Sequence, residues 1–309
     1  MDILDKQIIM ELSNNCRISY TYLGQKYQVS SNTIKNRIRI LEERGIIGKF
    51  TFEFNPSLIN TNSVLILFRF RSSLEEEQIE QIGLHPLITG IGVGVEAGFA
   101  TGLYRDHREL SLLSDIFHSL EDIIEVTIFP VLLPLNADRA SPQGTLNDIK
   151  ASDWKILSLL RENGRVSLSE LSEKTLISVK TIRRRIQSLQ ERKMITLTIQ
   201  LNPGKITRGM MVVFAIELKK LTRQLCIEIE NKMRNIRPNQ FWVSWQVVDR
   251  PIVILAFQAE SADEVKLIQE DIQKTITKLE SLTHLIGGSM NYYTDLTDEL
   301  LKENLEKKK

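Results

Sequence analysis

Two stretches carry side chains able to read the edge of a base pair. "SSNTIKNRIRILEERGIIG" spans residues 30–48 and "SVKTIRRRIQSLQERKMIT" spans 178–196. Placed on a helix, Ile34, Ile38 and Leu41 recur at i, i+4 and i+7, as do Ile182, Ile186 and Leu189; each set makes one buried stripe. Ser31, Asn32, Lys35, Asn36 and Arg39 then face outward, flanked by Thr33 and Arg37. In the second stretch Lys180, Arg183, Arg184 and Gln187 face outward, with Thr181 beside them. Arg and Lys can fork onto guanine or grip phosphates, and Asn or Gln can pair with adenine. A merely solvated charged face competes with this reading for one helix alone. Its occurrence twice in one setting weighs against that.

The setting is a tandem repeat. A shift of 148 positions superposes residues 5–47 on 153–195 without a gap, with 17 of 43 positions identical. Identical pairs include Asp5 with Asp153, Arg17 with Arg165, Ser30 with Ser178 and Arg37 with Arg185. "FNP" at 54–56 meets "LNP" at 201–203 one residue out of register, so a single deletion separates the copies there. Each copy opens with an amphipathic helix that Asp2 or Asp5 can cap. A short second helix buries Leu23, and Ser30 caps the third. Gly45 ends that helix, with Lys193 in its place in the second copy. "IIGKFTFEFN" and "MITLTIQLN" alternate as strands. Three helices and a two-stranded wing in each copy are the expectation, with Lys49, Thr51, Thr196 and Thr198 as wing positions for backbone contacts.

The segments C-terminal to the two copies also match in plan. "SVLILFRFR" and "GMMVVFAIELK" begin two strand–helix–strand–strand–helix–strand series, the ferredoxin-like order. "VLILF" and "MMVVFAI" are apolar on both faces, so the sheet face without helices needs cover from a second sheet. That pairing is expected either between the halves or between chains. The fold class is therefore α+β, with two winged helix-turn-helix domains each followed by a βαββαβ domain. The expected boundaries are 1–56, 61–135, a linker at 136–147, 148–203, 207–293 and a charged, solvated tail at 294–309.

The net charge of +1 over 309 residues conceals an uneven distribution. Residues 1–55 hold 8 Lys+Arg against 6 Asp+Glu, and residues 148–203 hold 11 against 6. Residues 56–135 hold 4 against 11. The basic excess sits where the repeated helix sits, which favours a polyanionic partner. No apolar run approaches the ~20 residues of a membrane span, and the N-terminus lacks a secretory pattern. Cys16 and Cys226 give neither a metal signature nor a disulfide framework, and a cytoplasmic setting is expected. His85, His107, His118 and His284 lack ligand spacing, so no metal, cofactor or catalytic residue is expected. Trp154, Trp242 and Trp245 fall in helix and strand patterns and read as core or interface rather than base-stacking residues. "GIGVGVEAG" leads into a strand rather than a helix, so it is a hairpin and not a nucleotide loop.

The opening "LDKQIIMEL", the series "NNCRISYTYLGQKYQVSSNTIKNRIRILEERGIIGKF" and its second copy resemble the Lrp/AsnC family of transcription regulators. The likeness covers nearly the whole chain twice, where usual members carry one copy. It implies a sequence-specific regulator bound to double-stranded DNA that self-associates through its ferredoxin-like domains, within the chain and between chains. It also implies a small-molecule effector site near the hairpin. Gly94 and Glu96 in the first half, and Asp249 and Arg250 in the second, are its candidates, although the first hairpin lacks the family's aspartates. Two other functions remain open: an architectural DNA-coating protein, and an enzyme like the sirohaem decarboxylases, which resemble the same two-domain plan.

Overall fold

The computed structural model describes residues 1–132, 142–202, 205, 210–277, 279–287, 290–292 and 296–306. In chain order, α1 (Ile3–Asn14), α2 (Tyr20–Lys26), α3 (Ser31–Glu43) and β1 (Ile47–Phe54) come first. They lead into β2 (Asn62–Phe70), α4 (Glu76–Gly83), β3 (Ile88–Val93), β4 (Ala97–Tyr104), α5 (His107–His118) and β5 (Ile123–Leu132). The plan then recurs as α6 (Ala151–Glu162), α7 (Leu168–Thr175), α8 (Val179–Glu191), β6 (Ile195–Leu201) and β7 (Met210–Leu218). It continues through α9 (Arg223–Ile236), β8 (Phe241–Val247), β9 (Ile252–Ala259), α10 (Ala262–Thr275) and β10 (Leu279–Gly287). A short β11 (Met290–Tyr292) and α11 (Leu296–Glu306) come last. Of the expected linker at 136–147, only residues 142–147 lie among the described residues. The chain gathers into two units. One joins Met1–Asn60, Arg139–Lys205 and Asp295–Lys309; the other joins Thr61–Asp138 and Ile206–Thr294.

In the first unit the helix ends follow from local chemistry. Asp2 caps α1 and shares a capping box with Asp5. Ser30 and Ser178 cap α3 and α8 by accepting from the Thr33 and Thr181 amides at 3.0 and 3.3 Å, worth about 1 kcal/mol each. Gly45 at φ +69° and Lys193 at φ +55° make the same left-handed exit. A lysine there is strained where glycine is not.

The two-stranded wing expected in each copy is not formed. Each copy supplies one strand, and β1 pairs antiparallel with β6 across the repeat. Thr51 lies opposite Thr198, Phe52 opposite Leu197 and Phe50 opposite Ile199. Thr51 and Thr198 are equivalent in the two copies, so a pseudo-two-fold axis runs between them. The physical reason is burial. Phe50, Phe52 and Phe54 are buried on one face of β1, and Thr51 is buried at the middle of the other between the half-exposed Lys49 and Glu53. α6 of the second copy covers β1, and α1 of the first covers β6. Phe54 meets Trp154 at 5.6 Å. Arg17 donates to the carbonyls of Gly164 (2.7 Å) and Val166 (2.5 Å). Its counterpart Arg165 donates to the Cys16 carbonyl and the Tyr20 hydroxyl, both at 2.6 Å. A Cβ on Gly164 would lie 2.7 Å from the Thr51 backbone, so the crossing requires glycine there.

The tail differs from its expected solvated form. α11 packs on α6 with Leu301 buried. Arg161, 6% exposed, donates to the Thr51 hydroxyl (3.1 Å) and the Phe52 carbonyl (3.2 Å). Its other nitrogens fork onto Asp298 at 2.6 and 2.9 Å.

In the second unit each half is a four-stranded antiparallel sheet, β5-β2-β4-β3 and β10-β7-β9-β8. Val131 opposite Val247 joins them edge to edge through β5 and β8, and β11 extends the order beyond β3. On β2, Val64, Ile66, Phe68 and Phe70 point into the helix-side core with Leu113 and Phe117. Leu65 and Leu67 point the other way, into a third core shared with Val213, Ala215 and Ile254 of the second half. The apolar sheet faces therefore cover each other within one chain.

Arg161→Ala should lower the unfolding free energy by roughly 3 kcal/mol, because it strips donors from buried acceptors. Asp298→Ala should cost under about 1 kcal/mol, its side chain being 58% exposed. The hydrogen bond from Arg161 holds the Asp298 carboxyl below its ordinary 3.8. That contribution is complete above about pH 4 and is lost as pH falls through the lowered value. Urea titrations of the three proteins at neutral and acid pH measure both effects; equal losses for the two variants contradict the assignment.

Candidate nucleic-acid interface

The side chains on α3 and α8 fall into two groups. Ser31, Asn32, Lys35 and Asn36 are exposed on α3, as are Lys180, Arg183 and Arg184 on α8. Lys35, Asn36, Lys180, Arg183 and Arg184 make no side-chain hydrogen bond or ion pair among the described residues. They occupy the first two turns of their helices, the part that enters a major groove in helix-turn-helix proteins.

The other group is tied inward or along the helix. Arg37, an expected flanking contact, pairs instead with Asp2 and with Asp5 (2.9 Å) across to α1. Those two carboxylates, Asp5 foremost, push the guanidinium pKa up. Arg185 makes the equivalent pair with the fully buried Asp153. Both arginines adjoin the Ile stripe, so their guanidinium groups reach the carboxylates of the neighbouring helix while the side chains stay partly exposed. Thr33 and Thr181 share hydrogen bonds of 2.8 and 2.9 Å with the cap serines. Arg39 is bonded to Glu43 (2.6 Å) and Gln187 to Glu191 (2.7 Å), one turn further along. Thr51 and Thr198 are buried, and Thr51 donates to the Arg161 carbonyl at 3.0 Å. These two wing positions therefore face no ligand, while Lys49 and Thr196 stay half-exposed.

The four effector candidates do not converge. Gly94 lies in the β3–β4 turn, where a Cβ would be 3.1 Å from the Gly287 Cα and from the Ala97 carbonyl, so backbone fills that space. Glu96 beside it is exposed. Asp249 and Arg250 sit in the β8–β9 turn. Arg250 stacks over Phe129 at 4.9 Å, and the Val248 amide donates to the Pro130 carbonyl at 2.9 Å. One turn thus sits at the β3 edge of the first sheet and the other on the β5 edge. Three strand spacings, about 14 Å, separate those edges. A cleft of ≈ 230 Å³ opens between the two sheets, lined in part by Arg69, Glu125, Thr127, Thr283 and His284; it contains none of the four.

Burial pushes the thiols of Cys16 and Cys226 up to about 11, so neither is a thiolate at neutral pH. Among the described residues no group of three His, Cys, Asp or Glu side chains is placed to hold a metal.

Residues 1–42 match the AsnC-type helix-turn-helix domain and residues 149–196 a winged helix-turn-helix DNA-binding family. The HTH-type transcriptional regulator Ptr1 of Methanocaldococcus jannaschii is 30% identical over 133 residues, 43% of this chain and 84% of Ptr1. The chain belongs to the Lrp/AsnC family. A further relative, the transcriptional regulator LrpA of Pyrococcus horikoshii, is 33% identical over 66 residues, 21% of this chain and 47% of LrpA. Among solved structures, the siroheme decarboxylase NirDL covers 98% of this chain and 99% of its own at a TM-score of 0.58. Its 12% identity makes that a likeness of fold. Like other members of the Lrp/AsnC family, the chain is a DNA-binding transcriptional regulator.

Sequence reasoning missed the crossing arginines of this Lrp/AsnC chain. Arg17 and Arg165 stood out as an identical pair, but nothing local says that each donates to the other copy. Arg37→Ala should lower stability by roughly 1 kcal/mol and leave DNA affinity within about twofold. Chemical denaturation and fluorescence anisotropy on one preparation separate the two; a large affinity loss without destabilisation contradicts the structural role.

Proposed function

We propose that this regulator grips duplex DNA with α3 and α8 together, the readers being Asn32, Lys35, Asn36, Lys180, Arg183 and Arg184. One observation carries the reading: these residues point outward unengaged, while Arg37 and Arg185, on the same helices, are held by carboxylates. A solvated charged face has no reason to sort its arginines that way. The contribution of the two helices is uneven. α8 brings three unengaged cations and α3 brings one, so the α8 half carries the larger phosphate component and the steeper salt dependence.

The test uses the full chain, because β6 without β1 loses its ladder and half its cover. Arg184→Ala should weaken binding by about 5- to 150-fold, equivalent to about 1–3 kcal/mol, with the thermal midpoint unchanged. Removing Lys180 and Arg183 together should flatten the dependence of log affinity on log salt by about 2. Removing Lys35 should flatten it by about 1. Unchanged affinity for Arg184→Ala counts against α8 as a reader. Competition with random DNA distinguishes a specific regulator from an architectural coating protein.

The enzyme reading draws on the whole-chain likeness to NirDL, which has also been solved with an iron-uroporphyrin III analogue. Against it, α3 and α8 both keep exposed Lys, Asn or Arg side chains on their outward faces, as a DNA reader requires. A Soret band that persists through gel filtration after incubation with sirohaem would restore it.

A further inference from the structure

We infer that the DNA site of this chain is a composite of two unlike half-sites, an adenine-bearing half under α3 and a guanine-bearing half under α8, so that one chain lies on it in one direction only. The inference rests on the proposed reading that α3 and α8 are the recognition helices.

The two heads make equivalent framework contacts at several positions. Arg17 and Arg165 cross to the opposite copy in the same manner. Arg37 and Arg185 pair with Asp5 and Asp153. The Asn55 amide donates to the Lys193 carbonyl and the Asn202 amide to the Gly45 carbonyl, both at 2.9 Å. Thr51 faces Thr198 on the axis. A body built this way presents α3 and α8 to DNA in equivalent poses. With identical outward faces it would read a palindrome.

The outward faces are not identical. At the three exposed early positions, Asn32, Lys35 and Asn36 on α3 stand where α8 has Lys180, Arg183 and Arg184. The next outward pair, Arg39 and Gln187, is held on both helices by a glutamate one turn on. The difference is therefore concentrated in the side chains that reach base edges first. An Asn amide matches the donor and acceptor of adenine, whereas an Arg fork matches the two acceptors of guanine. Asn36 and Arg184 are equivalent positions with opposite base preference. The asymmetry extends into the body of the unit. Arg161 anchors α11 to the second head, and its counterpart in the first copy is Ser13, which cannot form that fork. A palindrome would waste one of the two helices. A composite site satisfies both, and it lacks the symmetry that would let the chain bind in either direction.

The test starts from random-sequence duplex DNA enriched on the full chain, followed by anisotropy titration of the winning duplex and its two symmetrised forms. The expected result is a motif with unlike halves, and a loss of about 5- to 100-fold in affinity when either half is duplicated into a palindrome. Asn36→Arg should then shift the preferred motif to guanine in both halves, and Arg184→Asn to adenine in both. Both positions are exposed, and thermal melting verifies the fold of each variant. A palindromic motif for the unaltered chain overturns the inference while leaving DNA binding intact, as does a motif that neither variant shifts. Failure to enrich any sequence over random DNA overturns the recognition reading itself, and the inference with it.

Discussion

A strand that carries a row of phenylalanines and an unpaired ladder cannot stand at the edge of a small domain. β1 buries Phe50, Phe52 and Phe54 on one face, and on the other Thr51 is buried between the half-exposed Lys49 and Glu53. Its backbone donors also need a ladder. Neither requirement can be met by the helices of its own copy. β6 of the other copy meets the second, and α6 of the other copy helps meet the first. This exchange makes the two heads one body, and the relative placement of α3 and α8 depends on it. The crossing arginines and Gly164 are accommodations to the same exchange.

The second unit solves an analogous problem in the same way. Each ferredoxin-like sheet is apolar on both sides, and helices cover only one. Leu65 and Phe99 of the first half meet Val213, Ala215 and Ile254 of the second. A regulator built from one such half would need a second chain to cover that face. Here the duplication supplies the cover internally, so no bare sheet face among these residues calls for another copy. Once two heads are joined in one polypeptide, their outward residues are free to diverge separately. Lys35-Asn36 against Arg183-Arg184 is such a divergence, set on an unchanged Ile and Leu stripe.

Much of this was legible in the sequence, because the stripes, caps and strand order are written in local spacing. Ser30 and Gly45 declared the helix ends directly, and the repeat carried the same ends over to Ser178 and Lys193. The features that stayed hidden depend on contacts far apart in the chain. The partner of β1 lies more than 140 residues away, and period-two alternation looks the same in a wing closed within a copy and one closed across copies. Arg37 looked like a DNA contact because helical spacing places it at the margin of the outward face. Only the position of α1, with Asp2 and Asp5, shows that it turns inward. The tail read as solvated because lysines dominate its end, yet Leu301 and Asp298 dock it. The effector candidates were carried by resemblance, and the turns that hold them rest on opposite edges of a sheet.

On the proposed reading, one chain supplies both recognition helices to one stretch of DNA. Native mass measurement of the chain bound to its enriched duplex, combined with hydroxyl-radical footprinting of the same complex, tests it most directly. One chain per duplex is expected, with two protected stretches a whole number of helical turns apart, about 10 or 20 base pairs. Two chains per duplex, each protecting a single stretch, would contradict it.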